Sequence, residues 1–348
     1  MSGAVLTKHR PQRVTYVTSE MEAAALESRD DVDVQIYPLW MSIADPYGIR
    51  ATPSPEPMAG GIGFPGLVRL VKDATGSAKR VAIEMDGLSR SALQVITELF
   101  REQQIVDAAP LFDEARLVKS PWEQALMQRT AEITEAAITA ACAAVRAGST
   151  QRQITQVFER HIMNEGDANG IRLSMISTGK QFAPTRFGVR DPIQPGDLIK
   201  FDVGAEVLGY GADMARTFSY GAPSDDAKRT YAALRVGHDF LLGRIGPGVA
   251  MKSLFEATMK VIRSNGLPNY LRGHLGHSVG LGRIIEEPPF IGLHSARCFE
   301  PGMVFSVETP HYAYGLGAFQ CEDMIVIEQD GYRNLCHLSR DLVELPLQ

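Results

Sequence analysis

Residues 195–218 read PGDLIKFDVGAEVLGYGADMARTF. The segment predicts two strands joined by a turn that is rich in glycine. Because side chains alternate across a strand, Phe201 and Val203 share one face of the first strand, while Lys200 and Asp202 share the other. The segment therefore predicts a strand with one apolar face and one face that presents a carboxylate.

Asp202 has a second carboxylate as its expected neighbour. A hairpin centred between Val207 and Leu208 places Asp202 directly opposite Asp213. Directly opposed residues have Cβ atoms about 4.5–5.5 Å apart. Two ionised carboxylates at this separation repel each other unless a cation lies between them. The pair therefore indicates a cation site.

A second hairpin repeats this arrangement. Met303–Glu308 and Phe319–Ile327 both read as strands, and the turn between them is centred on Gly315. This register places Glu308 opposite Glu322. Two facing pairs of acids on otherwise apolar strands indicate a metal site.

One histidine lies between the two hairpins. Residues 273–280 read GHLGHSVG, and their glycines allow the backbone to approach a site closely. His277 would add an imidazole to the four carboxylates, and such a set suits two divalent ions. Taken singly, each of these residues is more often structural, so the prediction depends on the joint pattern.

Composition excludes several other classes of protein. The 348 residues include 35 Lys and Arg and 41 Asp and Glu, which gives a net charge of −6 without a basic run. This balance offers no electrostatic case for nucleic acid or an anionic membrane. No stretch of 18 apolar residues predicts a membrane span, and the N-terminus does not read as a secretory signal. We therefore expect a cytoplasmic protein.

The first third of the chain reads as a small α/β unit. Its predicted strands are Val14–Val17, Val32–Tyr37 and Arg80–Glu84. Its predicted helices follow Ser19, start at Leu67–Lys72 and cover Ser91–Gln103. A boundary near residues 112–120 divides the chain into an N-terminal domain, 1–112, and a C-terminal domain, 113–348.

The second domain begins with a strong helix signal. Ser120 is a good N-cap, Pro121 suits the first helical position, and Glu123 completes a capping box. Helical composition continues to Ala147. Further helices are predicted at Thr150–Glu165, at about 228–243 and at about 250–264.

These segments together resemble the pita-bread metallopeptidases, a family that includes prolidase, aminopeptidase P, methionine aminopeptidase and the metal-free creatinase. The resemblance is carried by residues 195–218 and by the segments EARLVKSPWEQALM, GHSVGLG followed by EEPP, PGMVFSVETP and FQCEDMIVI. It implies an α/β (α+β) protein with a C-terminal pita-bread fold and a shortened N-terminal domain of the creatinase/prolidase type.

The resemblance also implies an activity and a homodimer. The activity would be that of a metal-dependent hydrolase similar to Xaa-Pro dipeptidase or aminopeptidase P, in which a metal-bridging water attacks an amide bond. The cofactor would be two divalent ions, with manganese first among Mn, Co, Fe and Zn. The implied ligands are Asp202, Asp213, His277, Glu308 and Glu322.

The family pattern assigns individual roles. Asp202 would bind one ion, Asp213 and Glu322 would bridge both ions, and His277 with Glu308 would complete the second. Glu308 would also move the proton, and His274 is a second catalytic candidate. Thr217 would fix a ligand by a hydrogen bond.

The sequence departs from the family at histidines that usually hold the substrate. Thr185 and Gly273 stand where relatives usually have histidine, and residues 283–286 lack a further histidine of the family. Gln320 stands where aminopeptidase P tends to have arginine. The residues expected at or near the substrate instead are Thr185, Arg186, Arg190, Arg283, His294 and His311.

These departures leave three functions open. The first is hydrolysis of a Xaa-Pro or similar peptide. The second keeps the fold and metals but acts on a non-peptide small molecule, as an amide hydrolase or a lyase. The third is a binding module without catalysis, and the intact ligand set argues against it.

Overall fold

The structure is a computed structural model, and it describes residues 1–23, 25–26, 29–41, 43–48, 55–180, 190–282 and 285–348. The chain divides into two compact units, Met1–Phe112 and Asp113–Gln348. Among the described residues, no helix has the length and apolar character needed to cross a membrane.

The first unit contains two small sheets. Its strands are β1 (Gly3–Thr7), β2 (Arg10–Ser19), β3 (Val32–Tyr37), β4 (Arg80–Ile83) and β5 (Gln104–Asp107). Its helices are α1 (Glu20–Ala23), α2 (Gly63–Ala74) and α3 (Arg90–Leu99). β1 pairs antiparallel with β2, which pairs parallel with β3, while β4 and β5 form a separate parallel pair.

The first unit departs from the sequence predictions at its first strand and at the end of its third helix. Gly3–Thr7 is a strand that the sequence analysis did not predict, since pairing with β2 orders it. The helix predicted to reach Gln103 ends at Leu99, because Gln104–Asp107 pairs with β4 instead. The helix predicted after Ser19 is present and covers Glu20–Ala23.

The predicted long helix lies near the start of the second unit. α4 (Ala109–Leu117) contains the boundary between the units, and α5 (Pro121–Ala143) follows. The Ser120 hydroxyl accepts from the Glu123 N–H, and the Glu123 carboxylate accepts from the Ser120 N–H, so the capping box is confirmed. The helix ends four residues earlier than predicted, at Ala143. The remaining helices are α6 (Gln151–Asn164), α7 (Asp225–Leu242) and α8 (Met251–Ser264).

One sheet forms the centre of this unit. Its strands are β6 (Gly170–Thr178), β7 (Leu198–Val207), β8 (Tyr210–Gly211), β9 (Met214–Tyr220), β10 (His274–Ser278), β11 (Glu287–Gly292), β12 (Val304–Glu308), β15 (Glu322–Glu328), β16 (Gly331–Asn334) and β17 (Val343–Leu345). The main order is β11-β10-β12-β15-β9-β7-β6, with β8, β16 and β17 paired to β7, β15 and β9. β13 (His311–Ala313) and β14 (Gly317–Phe319) form a separate hairpin.

Helices cover one face of this sheet. Phe201 of β7 packs in the same apolar core as Phe158 of α6. Phe305 of β12 packs in a second core, which also contains Leu234 of α7 and Met259 of α8. Because side chains alternate along each strand, Asp202 of β7 and Glu308 of β12 point to the face opposite to that of Phe201 and Phe305. That opposite face carries the predicted carboxylates.

Candidate metal centre

Asp202 and Asp213 lie on one hairpin, but they are not directly opposed. Asp202 pairs with Ala215, so the predicted register was wrong by two residues. Asp213 is two residues from Ala215 and is therefore a diagonal neighbour of Asp202 on the same face. A shift of two residues preserves the face, which is why both carboxylates still point into the site.

The turn explains the shift. Val207 pairs with Tyr210, so Leu208 and Gly209 form a two-residue turn, and both have positive φ, 51° and 85°. Such turns favour Asn or Gly at both positions. Leucine rarely adopts this conformation, so the sequence gives no signal that the turn begins at Leu208.

The second hairpin has the predicted register. Glu308 of β12 is directly opposite Glu322 of β15, and β13 and β14 continue the same pairing around Gly315. The predicted strand Phe319–Ile327 is interrupted between Phe319 and Glu322. This interruption separates the β13–β14 hairpin from the main sheet.

His277 reaches the same face from β10. It pairs with Ser306 of the neighbouring strand β12. The adjacent Gly276 has a φ of 145°, and a Cβ atom there would lie 2.4 Å from the Ser306 carbonyl oxygen. Glycine is therefore required where the two backbones approach each other, and this close approach brings His277 to the carboxylates.

Three side chains converge closely enough to hold a metal ion. One ligand atom each from Asp213, His277 and Glu322 lies within 4.8 Å of the other two, and all three residues are buried. His277 Nε2 is 3.4 Å from Asp213 Oδ2 and 3.9 Å from Glu322 Oε1. Asp213 Oδ1 is buried without a hydrogen-bond partner. A buried, unpartnered carboxylate oxygen beside an imidazole fits a divalent cation, since such a cation would satisfy it.

The close approach of these buried acids and His277 also shifts their pKa values. Burial raises the pKa of Asp213 and of Glu308. Burial, followed by repulsion from the other three acids, raises the pKa of Glu322 well above its usual value. Burial alone would lower the pKa of His277, but the hydrogen bond with Asp213 raises it to about 9.

Lys200 and Gln320 also contact the carboxylates. Lys200 Nζ lies 2.8 Å from Asp202 Oδ2 and 3.0 Å from Gln320 Oε1. The Gln320 amide donates to Glu308 Oε2 at 3.1 Å and to Glu322 Oε2 at 2.9 Å. The sequence placed Lys200 on the same face as Asp202, but strand alternation alone assigns it no function.

Glu308 has a second set of partners. His274 Nδ1 lies 3.2 Å from Glu308 Oε1, and His274 Nε2 lies 3.4 Å from Glu286 Oε2. Arg272 approaches Glu308 Oε1 to 3.5 Å. The sequence analysis missed Arg272 and Glu286. In the sequence these are a single arginine and a single glutamate beside the glycine-rich segment. Such isolated residues do not indicate a role.

Thr217 acts on Gln320 rather than on a predicted ligand. Its hydroxyl donates to the Gln320 carbonyl at 3.0 Å and accepts from the Gln320 N–H at 2.9 Å. The predicted hydrogen bond to a ligand side chain is therefore wrong. Thr217 instead holds the residue whose amide contacts Glu308 and Glu322.

The predicted substrate residues divide into three groups. His311 is half-buried, and its ring centre lies 6.0 Å from that of Tyr270. His294 is exposed in the turn after β11, and Arg190 is exposed as well. Thr185, Arg186 and Arg283 lie outside the described residues.

Comparison with known proteins identifies the family. The sequence profile of metallopeptidase family M24 matches residues 125–329, which make up more than half of the chain. The chain belongs to metallopeptidase family M24. The match includes all five predicted ligands.

Two curated relatives are similar to this chain over most of their length. A protein named Xaa-Pro dipeptidase from Lactobacillus helveticus is 28% identical over 281 residues, which cover 80% of this chain and 76% of the relative. A Xaa-Pro dipeptidase from Pyrococcus furiosus is 26% identical over 262 residues, which cover 74% of this chain and 75% of the relative.

Solved structures confirm the fold. The Xaa-Pro dipeptidase from Bacillus anthracis superposes with a TM-score of 0.80 at 21% identity, over 99% of this chain and 95% of that one. The X-Pro aminopeptidase from Thermotoga maritima gives 0.78 at 24% identity, over 95% and 87%. The predicted pita-bread fold is therefore confirmed for this M24 member.

Proposed function

We propose that this M24 member is a metal-dependent peptidase that hydrolyses the bond between an N-terminal residue and proline. The observation that carries the proposal is the convergence of Asp213, His277 and Glu322, with Glu308 beside them, on one face of an M24 sheet. The names of the curated relatives supply the substrate class. They do not favour the non-peptide alternative.

The buried acids and His277 would hold the ion. When bound, a divalent ion polarises the scissile carbonyl and acidifies water. Asp213 and Glu322 are suitable ligands because they are buried carboxylates next to the His277 imidazole. Manganese and a homodimer remain predictions of the resemblance, and a cytoplasmic location remains a prediction of the sequence.

Glu308 is placed to accept a proton from the attacking water. Burial raises its pKa, which brings the carboxylate closer to the range where it can both accept and release a proton. His274 connects Glu308 Oε1 with Glu286, whose side chain is 56% exposed. The contacts of 3.2 and 3.4 Å thus connect the buried carboxylate with solvent, so that its protonation state can be reset between turnovers. Within a turnover, Glu308 would return the proton taken from water to the leaving amine.

A substrate panel tests the proposal. Purified protein supplied with Mn²⁺ should release proline from Ala-Pro and Leu-Pro and should cleave Ala-Ala much more slowly. The Glu308→Gln variant is the expected inactive comparison, because its side chain has a similar volume but cannot accept the proton. Protein that contains metal but cleaves no dipeptide of the panel would refute the proposal.

A further inference from the structure

Lys200 is a cation of the chain itself within the candidate metal centre. Its side chain is fully buried, and Nζ lies 2.8 Å from Asp202 Oδ2 and 3.0 Å from Gln320 Oε1. The same ammonium lies 5.5 Å from the centre of the Tyr312 ring. A charge buried to this extent persists when it is paired. Asp202 is therefore paired with a positive charge that does not come from a metal ion.

Arg272 has a similar relation to Glu308. Its Nη2 lies 3.5 Å from Glu308 Oε1, and its Nε is buried without a hydrogen-bond partner. The guanidinium is always charged at neutral pH. Glu308 thus has a permanent positive charge beside it, although the contact is looser than that of Lys200 with Asp202.

The charges of the centre can now be counted. Asp202, Asp213, Glu308 and Glu322 supply four negative charges. The cations Lys200 and Arg272 contact Asp202 and Glu308. The two carboxylates without a lysine or arginine partner among the described contacts are Asp213 and Glu322, which are the two that converge with His277. Their two negative charges match one divalent ion.

We propose that the centre binds one divalent ion tightly, at Asp213, His277 and Glu322, and that Lys200 replaces the charge of a second ion beside Asp202. This inference rests on the proposed metal dependence, but it changes the number of ions from the two that the family resemblance implies. Glu308 is then available as the proton acceptor.

Electrostatics gives the expected size of the effect. A second ion held by Asp202 would have to approach the Lys200 ammonium, and charges a few ångströms apart in a protein repel strongly. We expect the second ion to bind at least about 100-fold more weakly than the first. Removing the lysine charge should abolish much of this difference.

Metal stoichiometry tests the inference without reference to activity. Chelator-treated protein is titrated with Mn²⁺ by calorimetry, and the loaded protein is then examined by electron paramagnetic resonance. The wild type should bind one tight equivalent and show the spectrum of an isolated Mn²⁺ ion. Lys200→Met should bind two equivalents and show the spectrum of two coupled ions.

Two further variants complete the test. Lys200→Gln also removes the charge, so it should behave as Lys200→Met and replaces that variant if methionine prevents folding. Lys252→Met removes an exposed lysine of α8 and should leave the stoichiometry at one. Circular dichroism of each metal-free protein checks that it is folded.

The outcomes separate this inference from the proposed function. Two tight equivalents in the wild type would overturn the inference and leave the peptidase proposal intact. If both folded Lys200 variants also bind one equivalent of Mn²⁺, the lysine charge does not determine the number of bound ions, and the inference is overturned. A wild type that binds no Mn²⁺ would overturn both.

Discussion

Glu308 on β12 and Glu322 on β15 are directly opposed residues of an antiparallel pair, and the Gln320 amide donates a hydrogen bond to each. Two buried carboxylates in this position repel each other. Gln320 offsets part of that repulsion with one side chain, since it has two amide protons to donate.

Replacing Gln320 should therefore destabilise the metal-free protein. Hydrogen bonds to charged groups contribute about 1.5–3 kcal/mol each, so Gln320→Leu should lower the free energy of unfolding by at least about 2 kcal/mol. Mn²⁺ should restore part of the loss because it neutralises Glu322, which is one of these two carboxylates. Urea unfolding with and without Mn²⁺ measures both effects. Gln156→Leu, at an exposed position of α6, is the control and should change stability by less than about 0.5 kcal/mol.

His274 should affect the rate more than metal binding. His274→Asn interrupts the connection between Glu308 and Glu286, so we expect kcat for Ala-Pro to fall about 10- to 100-fold. The Mn²⁺ content of the variant should remain that of the wild type. His337→Asn removes an exposed histidine and should leave kcat unchanged. A His274 variant with normal kcat would show that Glu308 exchanges its proton by another route.

The buried ion pairs behind Glu322 should be essential for stability. Asp323 follows Glu322 on β15 and points to the other face, where it contacts Arg216 at 2.6 Å, His238 at 2.8 Å and Arg340 at 2.5 Å. Asp323→Asn would leave buried cations unpaired, which costs about 3–5 kcal/mol. Chemical denaturation should show this loss.

The control for that variant is an exposed carboxylate. Asp226→Asn removes a partner of Arg229 on the surface of α7 and should cost less than about 1 kcal/mol. If Asp323→Asn is no more destabilising than Asp226→Asn, the cluster around Arg216 does not hold β15 in place.

Because Lys119 is buried, we expect its contribution to the free energy of unfolding to increase with pH. Burial lowers its pKa from 10.5 to about 8, although nearby Glu287 acts in the opposite direction, and Nζ contacts the Ser278 hydroxyl at 3.0 Å. Between pH 8 and 10 the unfolded chain holds the Lys119 proton more strongly than the folded protein does. Stability contributed by this residue therefore increases with pH, by about 3 kcal/mol in total.

A comparison of variants isolates this effect from other titrating groups. The free energy of unfolding of the wild type, minus that of Lys119→Met, should become more positive between pH 7 and pH 10. The exposed Lys260 of α8 is the matched control, and the corresponding difference for Lys260→Met should stay flat across this interval. A flat difference for Lys119 would mean that its pKa is not lowered.

Much of the site could be predicted from strand alternation and turn position. Glu308 and Glu322 were placed correctly because Gly315, with φ of 73°, marks the turn between their strands. Asp202 and Asp213 were placed on the correct face but in the wrong register, because Leu208 adopts an unfavourable turn conformation that its residue type does not indicate.

The counter-ions of the site could not be predicted in this way. Lys200 was visible as a neighbour of Asp202 on one strand, but its contact with Gln320 depends on β14 and β15, 120 residues away. Neither strand periodicity nor a turn motif indicates where the Arg272 side chain lies. Its position beside Glu308 follows from tertiary packing. Pairings across distant strands require the fold before they can be recognised.

The most direct test of the account is metal-dependent proline release. Protein is treated with a chelator, dialysed, and assayed with Ala-Pro as Mn²⁺ is added back in steps. The account predicts no proline release from the metal-free protein and full recovery of activity as the Mn²⁺ site fills. Proline release that persists after the metal is removed would contradict it, as would a Mn²⁺-loaded protein that releases none.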